Sequence, residues 1–171
     1  MADKFLKNSN GNIAEQEVIT TSAGAGDTGK IAGLDATGRF DASMMPVGVV
    51  PDVKLLTASE NLAAGDYVNI WDDGGITKVR KADATSVGKR AHGYVLAVAL
   101  LGNQASVYFE GLNNQVSGLT GGGLQFLSAA NPGLTTSTPP SDTTGYIVQK
   151  IGISLSATEI ATEISSPIVL A

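Results

Sequence analysis

The stretch Tyr67-Val-Asn-Ile-Trp71-Asp72-Asp73-Gly74-Gly75-Ile76-Thr-Lys-Val-Arg-Lys81 decides the fold. Two runs rich in β-branched and aromatic residues flank an Asp-Asp-Gly-Gly tetrapeptide. Aspartate and glycine accept the backbone angles that a tight turn demands, so the pattern predicts two antiparallel strands joined at residues 72–75. In the second run Ile76 and Val79 fall on opposite faces, because side chains alternate along a pleated strand.

Further strands follow on both sides. Residues 53–58, Val-Lys-Leu-Leu-Thr-Ala, precede the hairpin and read as a strand. Residues 91–99 and 105–110 follow it. In the latter, Ala105, Val107 and Phe109 share one face, and Ser106, Tyr108 and Glu110 the other. Residues 124–128, 146–150 and 151–155 add more. Residues 158–164 are read as a strand, although the spacing of Ile160 and Ile164 also allows one short helical turn. Pro132-Gly133 and Pro139-Pro140 punctuate a Thr/Ser-rich loop, which includes residues 135–144. About eight short strands with turns every roughly 8–12 residues form the pattern of a small β-barrel or β-sandwich. The fold class is therefore mainly β.

Residues 1–50 differ from residues 51–171. Their apolar residues come singly or in pairs: Phe5 and Leu6, Ile13, Val18, Ile31, Leu34, Phe40, Met44 and Met45. Turn signals such as Asn10-Gly11 and Thr37-Gly38 separate them. No window repeats at helical spacing over three turns. Such a segment cannot easily bury a core of its own, so it reads as an extended N-terminal arm with one or two short strands, ordered by contact with neighbours. The nine residues just named are the candidate partner contacts, acting as apolar anchors.

The composition supports a chain covered by partners. Charged residues make up 16% of the 171 positions, against a usual value of about 25%. A surface of small uncharged residues is one that other subunits can cover. The net charge of −5 has no basic stripe to neutralise phosphates, which argues against nucleic-acid binding. No apolar run approaches the roughly 20 residues of a membrane helix, and the N-terminus has no signal-peptide pattern. Cysteine is absent, so disulfides and thiolate chemistry are excluded.

Several features resemble chemistry. Gly24-Ala-Gly26-Asp-Thr-Gly29-Lys30 fits both G-x-G-x-x-G and G-x-x-x-x-G-K. A phosphate loop also needs a helix at once after it, and the Walker form needs Ser or Thr where Ile31 stands. Gly33 and Gly38 speak against that helix. Asp27, Asp35 and Asp41 lack calcium-loop spacing. His92 is the single histidine, so serine–histidine–aspartate and histidine–metal schemes depend on it alone. Glu110 has no visible acid–base partner. Tyr67, Trp71, Tyr108 and Phe109 suit a core better than a saccharide platform. Neither a catalytic set nor a cofactor or metal site is expected.

The segment Thr28-Gly-Lys-Ile-Ala-Gly-Leu-Asp-Ala-Thr-Gly-Arg-Phe-Asp-Ala-Ser-Met-Met-Pro46 resembles one shared by virion proteins of tailed bacteriophages, G-K-I-x-x-L-(D/N)-x-x-G-(K/R)-(I/F)-D-x-S-(L/M)-(L/M)-P. The second part is similar to small β-domains of the same virions. Leu62-Ala-Ala-Gly-Asp-Tyr-Val-Asn-Ile70, Lys78-Val-Arg-Lys-Ala-Asp83, Ala91-His-Gly-Tyr-Val95, Gly118-Leu-Thr-Gly-Gly122, Tyr146-Ile-Val-Gln-Lys-Ile-Gly152 and Leu155-Ser-Ala-Thr-Glu159 carry that likeness. The chain departs from tail fibres in having no shaft repeats. The resemblance therefore implies a head decoration, or cement, protein. It would be made in the host cytoplasm and seated on the outer capsid surface, with the major capsid protein and further copies of itself, in a homotrimer, as partners. A tail-fibre or host-surface-binding module is the alternative.

Overall fold

The computed structural model describes residues 4–45 and 52–171. Pro46, which ends the phage-like segment, and the expected boundary near residue 50 lie outside them. The chain divides into two units, Met1–Val50 and Pro51–Ala171.

In the first unit, β1 (Lys4–Ser9) and β2 (Asn12–Glu17) form an antiparallel hairpin. Asn10 and Gly11 both have positive φ, 52° and 88°, as a two-residue Asn-Gly hairpin turn requires. The Gly11 N–H donates to Asn8 Oδ1 at 2.8 Å. The arm, expected to hold one or two short strands, has two, and they pair with each other. A second closure follows: the Ile19 N–H donates to Ile31 O at 3.0 Å, and the Gly33 N–H to Ile19 O at 2.8 Å.

The second unit is mainly β. Its first strands are β3 (Val53–Ala58), β4 (Tyr67–Asp72), β5 (Thr77–Lys81), β6 (Gly93–Val95) and β7 (Gln104–Tyr108). They close into a barrel in the order β3-β5-β4-β6-β7. The β3–β5 pairing is parallel, and the ladder from Val53–Tyr108 to Thr57–Gln104 closes the ring. The predicted β4–β5 hairpin is present. Its turn is held by the Gly75 N–H on Asp72 Oδ2 and by a 2.7 Å ion pair between Lys78 and Asp73. β6 is shorter than residues 91–99. After Val95 the backbone leaves the ladder and pairs again only where Ala99 meets Leu62.

The remaining strands are β8 (Gly111–Asn113), β9 (Leu124–Leu127), β10 (Thr135–Thr136), β11 (Ile147–Val148), β12 (Lys150–Ser154), β13 (Ile160–Thr162) and β14 (Ile168–Val169). Five of them make an open second sheet in the order β10-β9-β12-β13-β8, and β11 pairs with β14. Residues 160–162 are strand rather than helix, because both neighbours, β12 and β8, supply ladder bonds.

Alternation along the barrel strands feeds two cores. Val68, Val79, Val95, Ala105 and Val107 point into the barrel with Ala58, Leu62 and Ala99. Tyr67 and Tyr94, each one residue away, point out of it. They pack with Ala82, Ala84, Leu127, Ile147, Ile151 and Ile160 beneath the second sheet. Full burial of a valine or leucine contributes about 1.5–3 kcal/mol, so both clusters stabilise the domain.

Candidate functional site

The first unit is built from short loops tied by aspartates. Asp27 accepts the Ala23 N–H at 2.6 Å and pairs with Lys30 at 2.6 Å. The Lys30 bond, and then the Ala23 amide, hold its carboxyl below the ordinary aspartate range. Asp35 accepts from the Thr37 hydroxyl at 2.6 Å and from the amides of Thr37 and Arg39. Its pKa is lowered, first by the Thr37 hydroxyl. Asp41 accepts the Ser43 N–H at 2.9 Å and so caps a short 3-10 turn at Ala42–Met44. Ser43 in turn receives the Ser22 N–H on its hydroxyl oxygen.

These ties explain the phosphate-like and calcium-like signals. The Gly24–Asp27 segment is a single 3-10 turn. Lys30 of the motif is engaged by Asp27 and the Gly24 N–H by the Ser22 hydroxyl oxygen, so neither is offered to a phosphate. The three aspartates each hold a separate turn. Among the described residues, no group of three or more His, Asp or Glu gathers as metal ligation requires.

The nine apolar anchors are distributed as follows. Leu6 lies opposite Glu15 and Ile13 opposite Asn8, so both project from one hairpin face as a diagonal pair. Lys4 and Glu15 form a 3.1 Å ion pair on that face. Phe5 lies opposite Gln16 on the other face. It is half-buried, whereas Leu6 and Ile13 are exposed. Val18 is half-buried and pressed on Gly33, where an added Cβ would sit 2.8 Å from Val18 Cγ2. Ile31, Leu34, Phe40 and Met45 are exposed on the loops, and Met44 is half-buried. Only Leu6 and Ile13 share one strand-paired face.

In the second unit, His92 and Glu110 line one open cleft of about 570 Å³ with Arg90, Phe109, Thr162 and Glu163. His92 Nδ1 accepts the Ile70 N–H at 2.9 Å. The neutral ring then carries its proton on Nε2 and offers a donor, with no lone pair left to act as a base. Burial, and secondarily Arg90, lowers the His92 pKa. Glu163 is paired with Lys150 at 2.7 Å, and that bond lowers its pKa.

Trp71 and Tyr108 are held within the fold. The Trp71 N–H donates to Ser59 Oγ, and the Arg80 guanidinium covers its ring at 4.5 Å. Tyr108 stacks on Tyr94 with centroids 5.6 Å apart.

No family model, curated protein or solved structure matches the chain. Among the described residues, no helix is long and apolar enough to cross a membrane.

Proposed function

We propose that this chain is a bacteriophage head decoration protein that binds the outer face of the major capsid lattice, as a homotrimer, and stabilises the shell. The observation that carries the reading is the hairpin of the first unit. It is two-stranded, both outer strand edges lack ladder partners within its sheet, and Leu6 and Ile13 stand exposed on one face. An isolated hairpin is marginally stable in water. Its open edges and apolar diagonal are completed when a partner sheet adds a strand and covers them.

Supporting features are the likeness of residues 28–46 to tailed-phage virion segments and the acidic balance of the chain. A net charge of −5 disfavours a position against packaged DNA and suits the outer surface. Repetition of the contact over a lattice multiplies a weak single-site affinity. The His92 geometry, with its basic nitrogen engaged, favours a binding role over acid–base chemistry.

The test is decoration of undecorated heads by the full chain and by a chain lacking residues 1–46. The full chain is expected to cover the whole shell, and the truncated chain to stay folded but unbound. Full occupancy by the truncated chain overturns the role of the arm. Copies of the full chain found only on the tail overturn the decoration reading in favour of a fibre or host-binding module.

A further inference from the structure

Asn10 alone among the asparagines of this chain is followed by glycine. The pair is chemically labile. The main-chain nitrogen after an asparagine can attack the side-chain carbonyl carbon, and a glycine there has no Cβ to block the approach. Burial and bonding restrain the other asparagines of the folded strands. Asn69 and Asn113 are buried, with their side-chain N–H groups spent on Arg90 O and Gly65 O. Asn61 Oδ1 holds the Leu101 N–H at 2.9 Å. Asn10 and Gly11 instead stand exposed at the tip of the β1–β2 turn.

The closed turn holds the reaction back. Positive φ at both residues, 52° and 88°, sets the tight hairpin geometry. The Gly11 N–H, whose nitrogen is the nucleophile, donates to Asn8 Oδ1 at 2.8 Å. Yet the sheet has two strands joined by six residue pairs, and such a hairpin is marginally stable in water. Each local opening frees the Gly11 nitrogen and lets the Asn10 main chain rotate until that nitrogen meets Cγ.

We propose that Asn10 is a site of spontaneous deamidation in the free chain, and that its isoaspartyl product unpairs the β1–β2 hairpin. The Gly11 nitrogen bonds to Asn10 Cγ, the Cγ–Nδ2 bond breaks, and ammonia leaves with the proton that the Gly11 nitrogen gives up. Water then opens the resulting cyclic imide at either carbonyl. One opening gives aspartate. The other gives isoaspartate, in which the main chain runs through Cγ. Amide and water become acid and ammonia, so no oxidant or reductant is needed. Isoaspartate adds a main-chain carbon to a turn that closes on two α-linked residues, so Ser9 no longer faces Asn12. The ladder fails from its tip, and the diagonal of Leu6 and Ile13 is lost with it. The modification does not rest on the decoration-protein reading. Its consequence for capsid binding does.

Ageing the full chain in mildly alkaline buffer tests this, read by mass spectrometry of the proteolytic peptide that contains Asn10. The expected result is progressive conversion of the Asn10 amide to an acid, isoaspartate in excess, many-fold faster than at Asn61 or Asn69. Asn10→Gln, whose longer side chain cannot close the same ring, is expected to keep its amide. An Asn10 that ages no faster than Asn61 overturns the proposal, as does amide loss from Asn10→Gln at the wild-type rate. NMR contacts between Ser9 and Asn12 read the unpairing. They are expected to vanish in the isoaspartyl product and to survive in freshly made Asn10→Asp, which carries the charge on an unaltered backbone. Contacts retained in the isoaspartyl product overturn the unpairing. Undecorated heads offered fresh and isoaspartyl chain separate the two readings. Binding by the fresh chain alone extends the unpairing to the capsid contact. If neither binds while Asn10 ages as expected, the decoration reading fails and the modification site stands.

Discussion

The phenolic oxygen of Tyr67 lies 3.0 Å from Thr162 Oγ1, a bond between residues 95 positions apart that joins barrel strand β4 to β13 of the second sheet. The ring is fully buried and tilted against Tyr94 with centroids 5.9 Å apart. Replacing Tyr67 by Phe keeps the packing and removes the bond. The expected cost is about 1 kcal/mol, read as a lower denaturant midpoint at unchanged slope. Burial also pushes the Tyr67 hydroxyl up to about 12 from its ordinary value near 10. The folded chain therefore holds this proton after the unfolded chain has lost it, and stability falls as pH rises from about 10 to about 12. The Tyr67→Phe variant loses that part of the alkaline decline.

Gln149 is buried and uses its amide as a clamp. Its Oε1 accepts the Ala91 N–H at 2.8 Å, and its Nε2 donates to Ala91 O and to Ser165 O, each at 3.0 Å. Gln149→Leu keeps the volume and leaves those backbone groups without these partners. Each buried unsatisfied group costs about 1–3 kcal/mol, so thermal melting of Gln149→Leu should show a loss of at least about 2 kcal/mol. A change within error of wild type would refute the clamp.

Gly152 sits at the irregularity in the β12–β9 pairing. A Cβ there would overlap the Ala161 carbonyl oxygen across the β12–β13 ladder. Gly152→Ala must separate the two strands, at a cost of about 1–3 kcal/mol for overpacking. Hydrogen exchange of the β13 amides should rise in this variant while the barrel amides keep their protection.

The Ile70–His92 bond predicts an acid sensitivity. A protonated ring has no acceptor at Nδ1, and the His92 pKa is lowered by burial. As pH falls, the unfolded chain takes up the proton first. The contribution is whole above the ordinary value of 6.5 and is lost as pH falls below it through the folded value. Melting curves between about pH 8 and about pH 5 should decline less for His92→Gln than for wild type.

The strands at Val53–Ala58 and Tyr67–Asp72 were legible because alternation and turn chemistry are local properties. β8, β10 and β14 were not, since each has only two or three residues and none carries a readable period. β10 lies inside the Thr/Ser-rich loop and becomes a strand only because Thr135 and Thr136 pair with Leu127 and Phe126. In the arm, Phe5 and Leu6 read as two anchors, and the hairpin sends them to opposite faces. Asn10-Gly11 was legible as a turn, but which residues it set opposite one another was not.

The second sheet shows the same division most sharply. Short-range chemistry settled that Ile153 and Ser154 take opposite sides, because the pleat alternates at every residue whatever lies beside it. Nothing local settled that Ile153 stands in line with Leu112 and Leu124, which are dozens of positions away. Nor did it settle that Tyr67 would leave the barrel to reach Thr162. Those alignments come from strand register and sheet packing, where backbone hydrogen bonds between distant segments choose which alternating face is covered and which is left exposed.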